Sequence, residues 1–383
     1  MNMPAAVNLL RVWSVCHKEF LHVVRDPRSL GMAIAIPLLL LLLFGYALTF
    51  DVDNVPMIVW DQSRSYASRD FISRFGSSKY FSIRGYAVTY AEVQRAIDIR
   101  EALVALVIPT DFERRIDSGR ETSVQLIVDG SDPNTATIAT GYAEAVARTY
   151  SDEMKLQDAW RRGERAAYRP LDVRPRVWYN ADLESRNYIV PGLIAVIMMV
   201  ITAMLTSLTV AREWEQGTME QLISTPVKGA ELVVGKLLPY FAIGLFDVLV
   251  AVLVGKFLLH VPLRGSVALL FATAGIFLTG MLSMGILISI ASKTQLLASQ
   301  FAMLATFLPA FLLSGFMFAI VNMPKPIQVI SYVVPAKYFV SLLKGIYMKG
   351  VGLKSMWMSE VFLVAFSVLM LALAILRFKK KLA

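Results

Sequence analysis

Side chains able to do covalent or metal chemistry are scarce in this 383-residue chain, which has one cysteine, Cys16, and three histidines, His17, His22 and His260. His17 and His22 are five residues apart, a spacing that takes them off a common helical face, so they read as polar residues of a surface helix rather than a metal pair. One cysteine allows no intramolecular disulfide. The polar stretch Asp51 to Asn187 holds neither histidine nor cysteine, which removes His-based triads and thiol nucleophiles from it and leaves acid-only or Ser-Lys chemistry. The nearest approach to a phosphate loop, Gly229 to Leu237, has one residue too many between its glycines and a leucine where Ser or Thr would bind magnesium. No catalytic residue, metal ligand or cofactor is therefore assigned to this chain. What remains is a lone acid in an apolar run, Asp247, a set of threonines at Thr202, Thr206 and Thr209, and a charged stretch from Arg212 to Lys236.

These residues sit among long apolar runs. The chain is 56% hydrophobic, a composition of polytopic membrane proteins rather than soluble enzymes. Runs long enough to span a bilayer at 1.5 Å per residue cover Ser29–Phe50, Tyr188–Ala211, Leu237–Leu259, Val267–Ala291, Thr294 to about Ile320, and about Ser355–Leu376. The first starts too late and runs too long for a cleaved signal peptide. Before it, Val7 to Asp26 reads as an amphipathic helix in the membrane plane, with Arg11, Ser14, Lys18, His22 and Arg25 on one side and Trp13, Cys16 and Phe20 on the other. The bases Arg11, Lys18, Arg25 and Arg28 place the N-terminus in the cytoplasm.

The fold class expected is an α-helical polytopic membrane protein of six transmembrane helices, with an α/β domain inserted between the first and second spans. The divisions are 1–28, a cytoplasmic helix; 29–50, the first span; 51–187, the outer α/β domain; and 188–383, the remaining spans. Between Asp51 and Asn187 there are 19 Lys and Arg against 21 Asp and Glu, whereas the rest of the chain has 19 bases against 8 acids, flanking the spans where anionic headgroups lie. Alternating patterns predict strands at Pro56–Trp60, Tyr80–Ala87, Ala102–Ile108 and Ser123–Val128, with helices at Ser65–Phe75, Tyr90–Ile99, Phe112–Ile116 and Pro133 to about Arg162. Asp129 to Asp132 reads as a turn and helix cap. Arg161 to Arg176 reads as a tether back to the membrane.

Asp247 lies at the middle of the third span, where an ionised carboxylate is costly, so it is a candidate for the translocation path or for a hydrogen-bonded tie between helices. Thr202, Thr206 and Thr209 share one face of the second span and either line that path or tighten packing. The segment 321–354, broken by prolines and carrying five lysines, reads as outer re-entrant helices. The stretch Arg212–Lys236 carries four acids and three bases, so it reads as a loop returning at the water interface, its first half a short helix with Glu213 and Glu220 turned to the cytosol. A helix lying passively on lipid is the other reading.

The wording of that stretch resembles the ABC-type-2 transporter permeases, and Asp61-Gln62-Ser63-Arg64-Ser65, Ile108-Pro109-Thr110-Asp111-Phe112 and Val128-Asp129-Gly130-Ser131 resemble the large periplasmic domain of a multidrug-efflux-like subgroup of them. Arg212, Glu213, Glu215, Gly217, Thr218, Glu220, Gln221, Leu222, Thr225, Pro226, Glu231, Leu232, Gly235, Lys236, Pro239 and Tyr240 match the family pattern. Lys18-Glu19 with Arg25-Asp26-Pro27-Arg28, and Leu313-Ser314-Gly315-Phe316 with Asn322-Met323-Pro324, are similar to the same family; Ala319 departs from its usual proline. The resemblance implies that 212–236 is a coupling loop, that Arg212, Glu213, Glu215, Gly217, Thr218, Glu220 and Gln221 engage a separate cytoplasmic ATPase, and that ATP and magnesium bind there. It implies a dimer with a second permease, a periplasmic adaptor as a further partner, and a multi-pass protein of a bacterial inner membrane with both termini cytoplasmic, exporting a drug or lipid-like amphiphile. An ion-coupled secondary transporter and a membrane-anchored periplasmic enzyme are the alternatives; neither draws nucleic acid as a partner.

Overall fold

The computed structural model describes residues 8–47, 53–161, 178–180 and 184–378. It forms two units, one of Met1–Thr49 with Arg176–Ala383 and the other of Phe50–Pro175. The expected tether and the basic residues after the last span fall largely outside the described residues.

Asn8 caps α1 (Leu9–Arg25), its side chain accepting from the Leu10 amide at 3.0 Å. Pro27 opens α2 (Pro27–Ala47) at the position where a missing N–H costs nothing. The two-sided pattern expected for α1 becomes three-sided. Val12, Val15 and Glu19 are buried, while Trp13 and Phe20 point outward, and the basic residues occupy the remaining side.

The second unit alternates strand and helix: β1 (Val55–Asp61), α3 (Tyr66–Gly76), β2 (Phe81–Tyr86), α4 (Tyr90–Asp98), β3 (Val104–Ile108), α5 (Phe112–Asp117), β4 (Gln125–Val128) and α6 (Pro133–Arg161). The sheet order is β2-β1-β3-β4, with β1 parallel to both β2 and β3 and β4 antiparallel to β3. Period-two alternation in β1 sends Met57 and Val59 into a core with α3, α5 and α6, and Ile58 and Trp60 toward α4. Asp129 accepts from the Ser131 amide at 2.9 Å, and Asp132 from Asn134 at 3.1 Å at the start of α6. These hydrogen bonds, with that from Thr135, hold both carboxyls below the usual range.

The first unit continues with α7 (Ser185–Glu215), α8 (Thr218–Ser224), α9 (Gly229–Phe257), α10 (Val267–Ser292), α11 (Gln295–Leu313), α12 (Lys325–Ser331), α13 (Pro335–Lys344), a π turn at Gly345–Lys349, and α14 (Leu353–Arg377). Six described helices are long and apolar enough to cross a membrane: α2, α7, α9, α10, α11 and α14. The chain is therefore a mostly helical, multi-pass membrane protein. In α7 the most apolar stretch is 83% buried, against 22% in α2, α11 and α14, which makes α7 the post around which the others pack. α10 approaches it closely at Gly285, where a Cβ would lie 2.5 Å from the Ala203 carbonyl oxygen.

Three boundaries differ from the sequence reading. Helix α7 runs on to Glu215 and α9 starts at Gly229, so Arg212–Lys236 is mostly helix rather than one loop. The charged ends project past the apolar stretches because helix hydrogen bonding continues wherever the side chains find partners. Helix α11 stops at Leu313 rather than near Ile320, since Gly315 takes φ +76°. Residues 178–180 and 184–187, assigned to the inserted domain, belong to the first unit, with Asn187 donating to Asn180 at 2.9 Å.

In the segment 321–354, α12 and the helix from Pro335 to Lys349 meet at 81°. Phe339 stacks on Phe277 of α10 at 4.0 Å between ring centroids. Farther along, Arg264 in the α9–α10 turn donates to the Tyr347 carbonyl at 3.0 Å. Among the described residues, Lys337, Lys344 and Lys349 here lie over rings. Lys337 lies 3.3 Å from the centroid of Tyr332 and Lys344 at the same distance from Tyr188.

Candidate functional site

The charged ends of α7 and α9 meet α1 in a buried ionic junction. Helix α1 crosses α9 at Gly235, where a Cβ would stand 2.7 Å from that of Val15. That close approach carries Glu19 to Lys236. Lys236, 1% exposed, is ion-paired with Glu19 and lies 3.0 Å from Glu213 on α7, which in turn accepts from Lys18 at 2.9 Å. Two acids and two bases thus alternate across three helices. One turn earlier, Glu231 accepts from the backbone amides of Asn8 at 2.9 Å and Lys228 at 2.8 Å. Arg11 donates to the Pro226 carbonyl at 2.7 Å. Leaving water costs the buried charges Glu19, Glu213, Glu231 and Lys236 several kcal/mol each, which their pairing and hydrogen bonds offset.

Glu213 corrects the sequence reading directly. It was expected to face the cytosol, yet it is 7% exposed, because the last turn of α7 places it between Lys18 and Lys236. Arg212 and Glu215 turn the other way, to the start of α11: Arg212 donates to the Gln295 side chain at 3.4 Å, and Glu215 accepts from the Gln295 amide at 2.8 Å. Gly217, at φ +70°, then breaks the chain direction in a region that a side chain would strain. Thr218 donates to the Glu213 carbonyl at 3.4 Å and opens α8. Met219, 2% exposed, anchors α8 to the bundle, and Glu220 and Gln221 are left exposed on its outer side. A cavity of about 350 Å³ opens beside them, bounded by Lys18, His22, Arg212, Glu213, Gln221 and Tyr240.

Of the expected coupling residues, the structure brings Arg212, Glu213, Glu215, Gly217 and Thr218 into the frame that holds α8, and leaves Glu220 and Gln221 as the part a partner could touch. Sequence reasoning passed over Lys18, Glu19, Glu231, Gly235 and Lys236 as site residues. Their signal was Glu231 and Gly235 four apart on α9, with Lys236 beside Gly235, matched by Asn8, Val12, Val15 and Glu19 at steps of three and four on α1.

The candidate path residues lie elsewhere, inside the bundle. Thr206 donates to the Thr202 carbonyl at 3.2 Å and to Leu282 of α10 at 2.9 Å, and Thr209 donates to the Thr206 carbonyl. Ser289 of α10 accepts from the Val210 and Ala211 amides at 3.0 and 2.9 Å. Here Thr206, with Ser289, ties α7 to α10. Asp247 is 3% exposed, and neither carboxylate oxygen has a hydrogen-bond partner among the described residues. It shares a stripe of α9 with Gly244, which faces Leu278, and Gly255, which faces Val190 of α7.

A central buried helix, a charged hairpin after it and a sharply bent helix pair before the last span frame the molecule, and comparison with known proteins decides which kind of membrane protein it is. The profile of the ABC-2 family transporter proteins matches residues 27–376. The chain belongs to the ABC-2 transporter family. Its relatives there include a probable multidrug ABC transporter permease, YbhS, of Escherichia coli, 38% identical over 97% of both chains. A second Escherichia coli protein of the same description, YbhR, is 30% identical over 91% of this chain and 93% of its own. The linearmycin resistance permease protein LnrN of Bacillus subtilis is 22% identical over 89% of this chain and 92% of its own. This ABC-2 chain is accordingly a permease, the transport subunit of an ABC system rather than the ATPase itself.

Proposed function

We propose that this ABC-2 permease exports amphiphilic molecules, drug-like or lipid-like, driven by ATP hydrolysis on a separate ATPase that docks on α8. The reading rests on one arrangement: a short helix with exposed Glu220 and Gln221, held at the end of the central helix α7 by a buried ion network. Motion at α8 would pass into α7 through Glu213 and into α1 and α9 through Lys236. In this reading α8, both termini and the ionic junction are cytoplasmic, the α/β unit is periplasmic, and the assembly contains two permease chains, with a periplasmic adaptor meeting the α/β unit. The multidrug and resistance descriptions of YbhS, YbhR and LnrN support an amphiphilic cargo. ATP and magnesium belong to the partner.

The test is a charge reversal confined to the outer side of α8. Glu220→Lys with Gln221→Lys is expected to leave membrane insertion and thermal stability unchanged, to reduce co-purification of the ATPase at least tenfold, and to abolish export. Undiminished ATPase capture and normal export by the double variant would assign α8 to the lipid surface instead.

A further inference from the structure

The α/β unit contains a cleft that the transport reading does not use. It lies between α5 and α6 and has a volume of about 410 Å³, within the range of small-molecule clefts, roughly 300–1,000 Å³. Its floor is aromatic. Phe71 of α3 stands 5.8 Å from Phe112 and 5.0 Å from Tyr150, all three being buried. Ile116 and Met154 form the walls. The Tyr150 hydroxyl donates to the Ala67 carbonyl at 3.3 Å, so the ring presents an apolar surface and not a free polar group.

The rim differs from the floor. Arg120 and Lys155 stand on it, both exposed, and neither joins an ion pair among the described residues, although acids elsewhere on this unit are paired: Glu153 with Arg74 and Asp111 with Arg115. Glu121 is the one acid of the lining, against these two bases. Thr122 also lines the cleft, and its Oγ1 is buried without a hydrogen-bond partner. A buried hydroxyl of this kind costs roughly 1–3 kcal/mol unless something bonds to it. The cleft therefore combines an apolar body site, a rim of two bases against one acid, and one orphaned hydroxyl at its edge.

We infer that this cleft is a binding site for a small anionic amphiphile, a single acyl chain or fused ring system ending in a carboxylate, sulfate or phosphate. The apolar body lies on Phe71, Phe112 and Tyr150, the charged head meets Arg120 and Lys155, and Thr122 donates to it. Such a site is separate from the helical bundle, and it stands whether or not the chain exports what it binds.

The experiment uses the full-length protein in lipid nanodiscs with 13C-methyl methionine, because Met154 lines the cleft and Met57, fully buried in β1, is an internal control. The probes are octanoate, octylammonium and octanol, short enough to stay mostly in water. Octanoate is expected to shift the Met154 resonance saturably, at a concentration at least tenfold below octylammonium, with Met57 unmoved. Arg120→Glu with Lys155→Glu is expected to remove that preference, and Ala147→Trp, which fills the cleft, to remove the shift for every probe. Equal or tighter binding of octylammonium, a shift untouched by either variant, or no saturable shift would each overturn the assignment. Loss of ATPase docking on α8 leaves this readout unchanged, so the two proposals fail separately.

Discussion

At the scale of single residues, Lys236 and Asp247 present opposite solutions to a charge inside an apolar bundle. Lys236 is enclosed by Glu19 and Glu213, so removing it strands two acids. Lys236→Ala is expected to lower stability by about 3–5 kcal/mol, read as a drop in the thermal midpoint of the detergent-solubilised protein. Adding Glu19→Gln and Glu213→Gln should recover most of the loss, and a triple variant no more stable than the single one would show that packing and not charge holds the junction. Asp247 has no such partner among the described residues. Asparagine keeps the shape of the side chain and carries no charge to desolvate. Asp247→Asn is therefore expected to preserve expression and export alike. Intact expression with selective loss of cationic cargo would put Asp247 in the path after all. The sequence singled out Asp247 because one acid interrupts an apolar run, whereas nothing local told Glu213 from Glu220; only the turn of α7 on which each sits separates a buried acid from an exposed one.

At the scale of elements, helix boundaries follow partner availability as much as apolar pattern. The sequence places all four strands and the helices of the α/β unit within a few residues of their observed ends, because β alternation, Ser and Thr caps and Pro133 are local signals. It does not place the ends of α7 and α9, since their charged last and first turns look like loop until Glu213, Glu231 and Lys236 are seen to be paired across helices. The same holds for Gly285. It reads as one more small residue in an apolar run, yet it sets how closely α10 meets α7. Gly285→Ala is expected to cost about 1–3 kcal/mol by forcing the two helices apart. Gly31→Ala, at a position of α2 with nothing within 4 Å of the added carbon, should be neutral or slightly stabilising. Equal thermal midpoints for the two variants would mean that α7 and α10 do not pack at Gly285.

At the scale of the whole molecule, the proposal that α8 and the α/β unit lie on opposite sides of the membrane makes a prediction of its own. With Cys16→Ser as background, Gly130→Cys in the α/β unit should react with an impermeant maleimide in osmotically opened but otherwise intact cells. Ser224→Cys in α8 should react only after the inner membrane is breached. Labelling of both from the same side would reject the proposed orientation. The lysines of 321–354 bear on the same question: a positive-inside count places them in the cytoplasm, but Lys337 and Lys344 rest on tyrosine rings, which offset part of the cost of charge in that segment. Hydropathy, strand alternation and the motif around Arg212–Lys236 determined by themselves the number of candidate spans, the α/β insertion and the ABC-2 family, because each is written in neighbouring residues. Only the tertiary structure decided that Glu213 is buried, that α1 is bolted to α9 and that Thr206 of α7 bonds across to α10. Those facts depend on partners more than seventy residues apart, such as Lys236 with Glu19 and Thr206 with Leu282, and the pairing of distant side chains follows from how the helices cross, which no local pattern encodes.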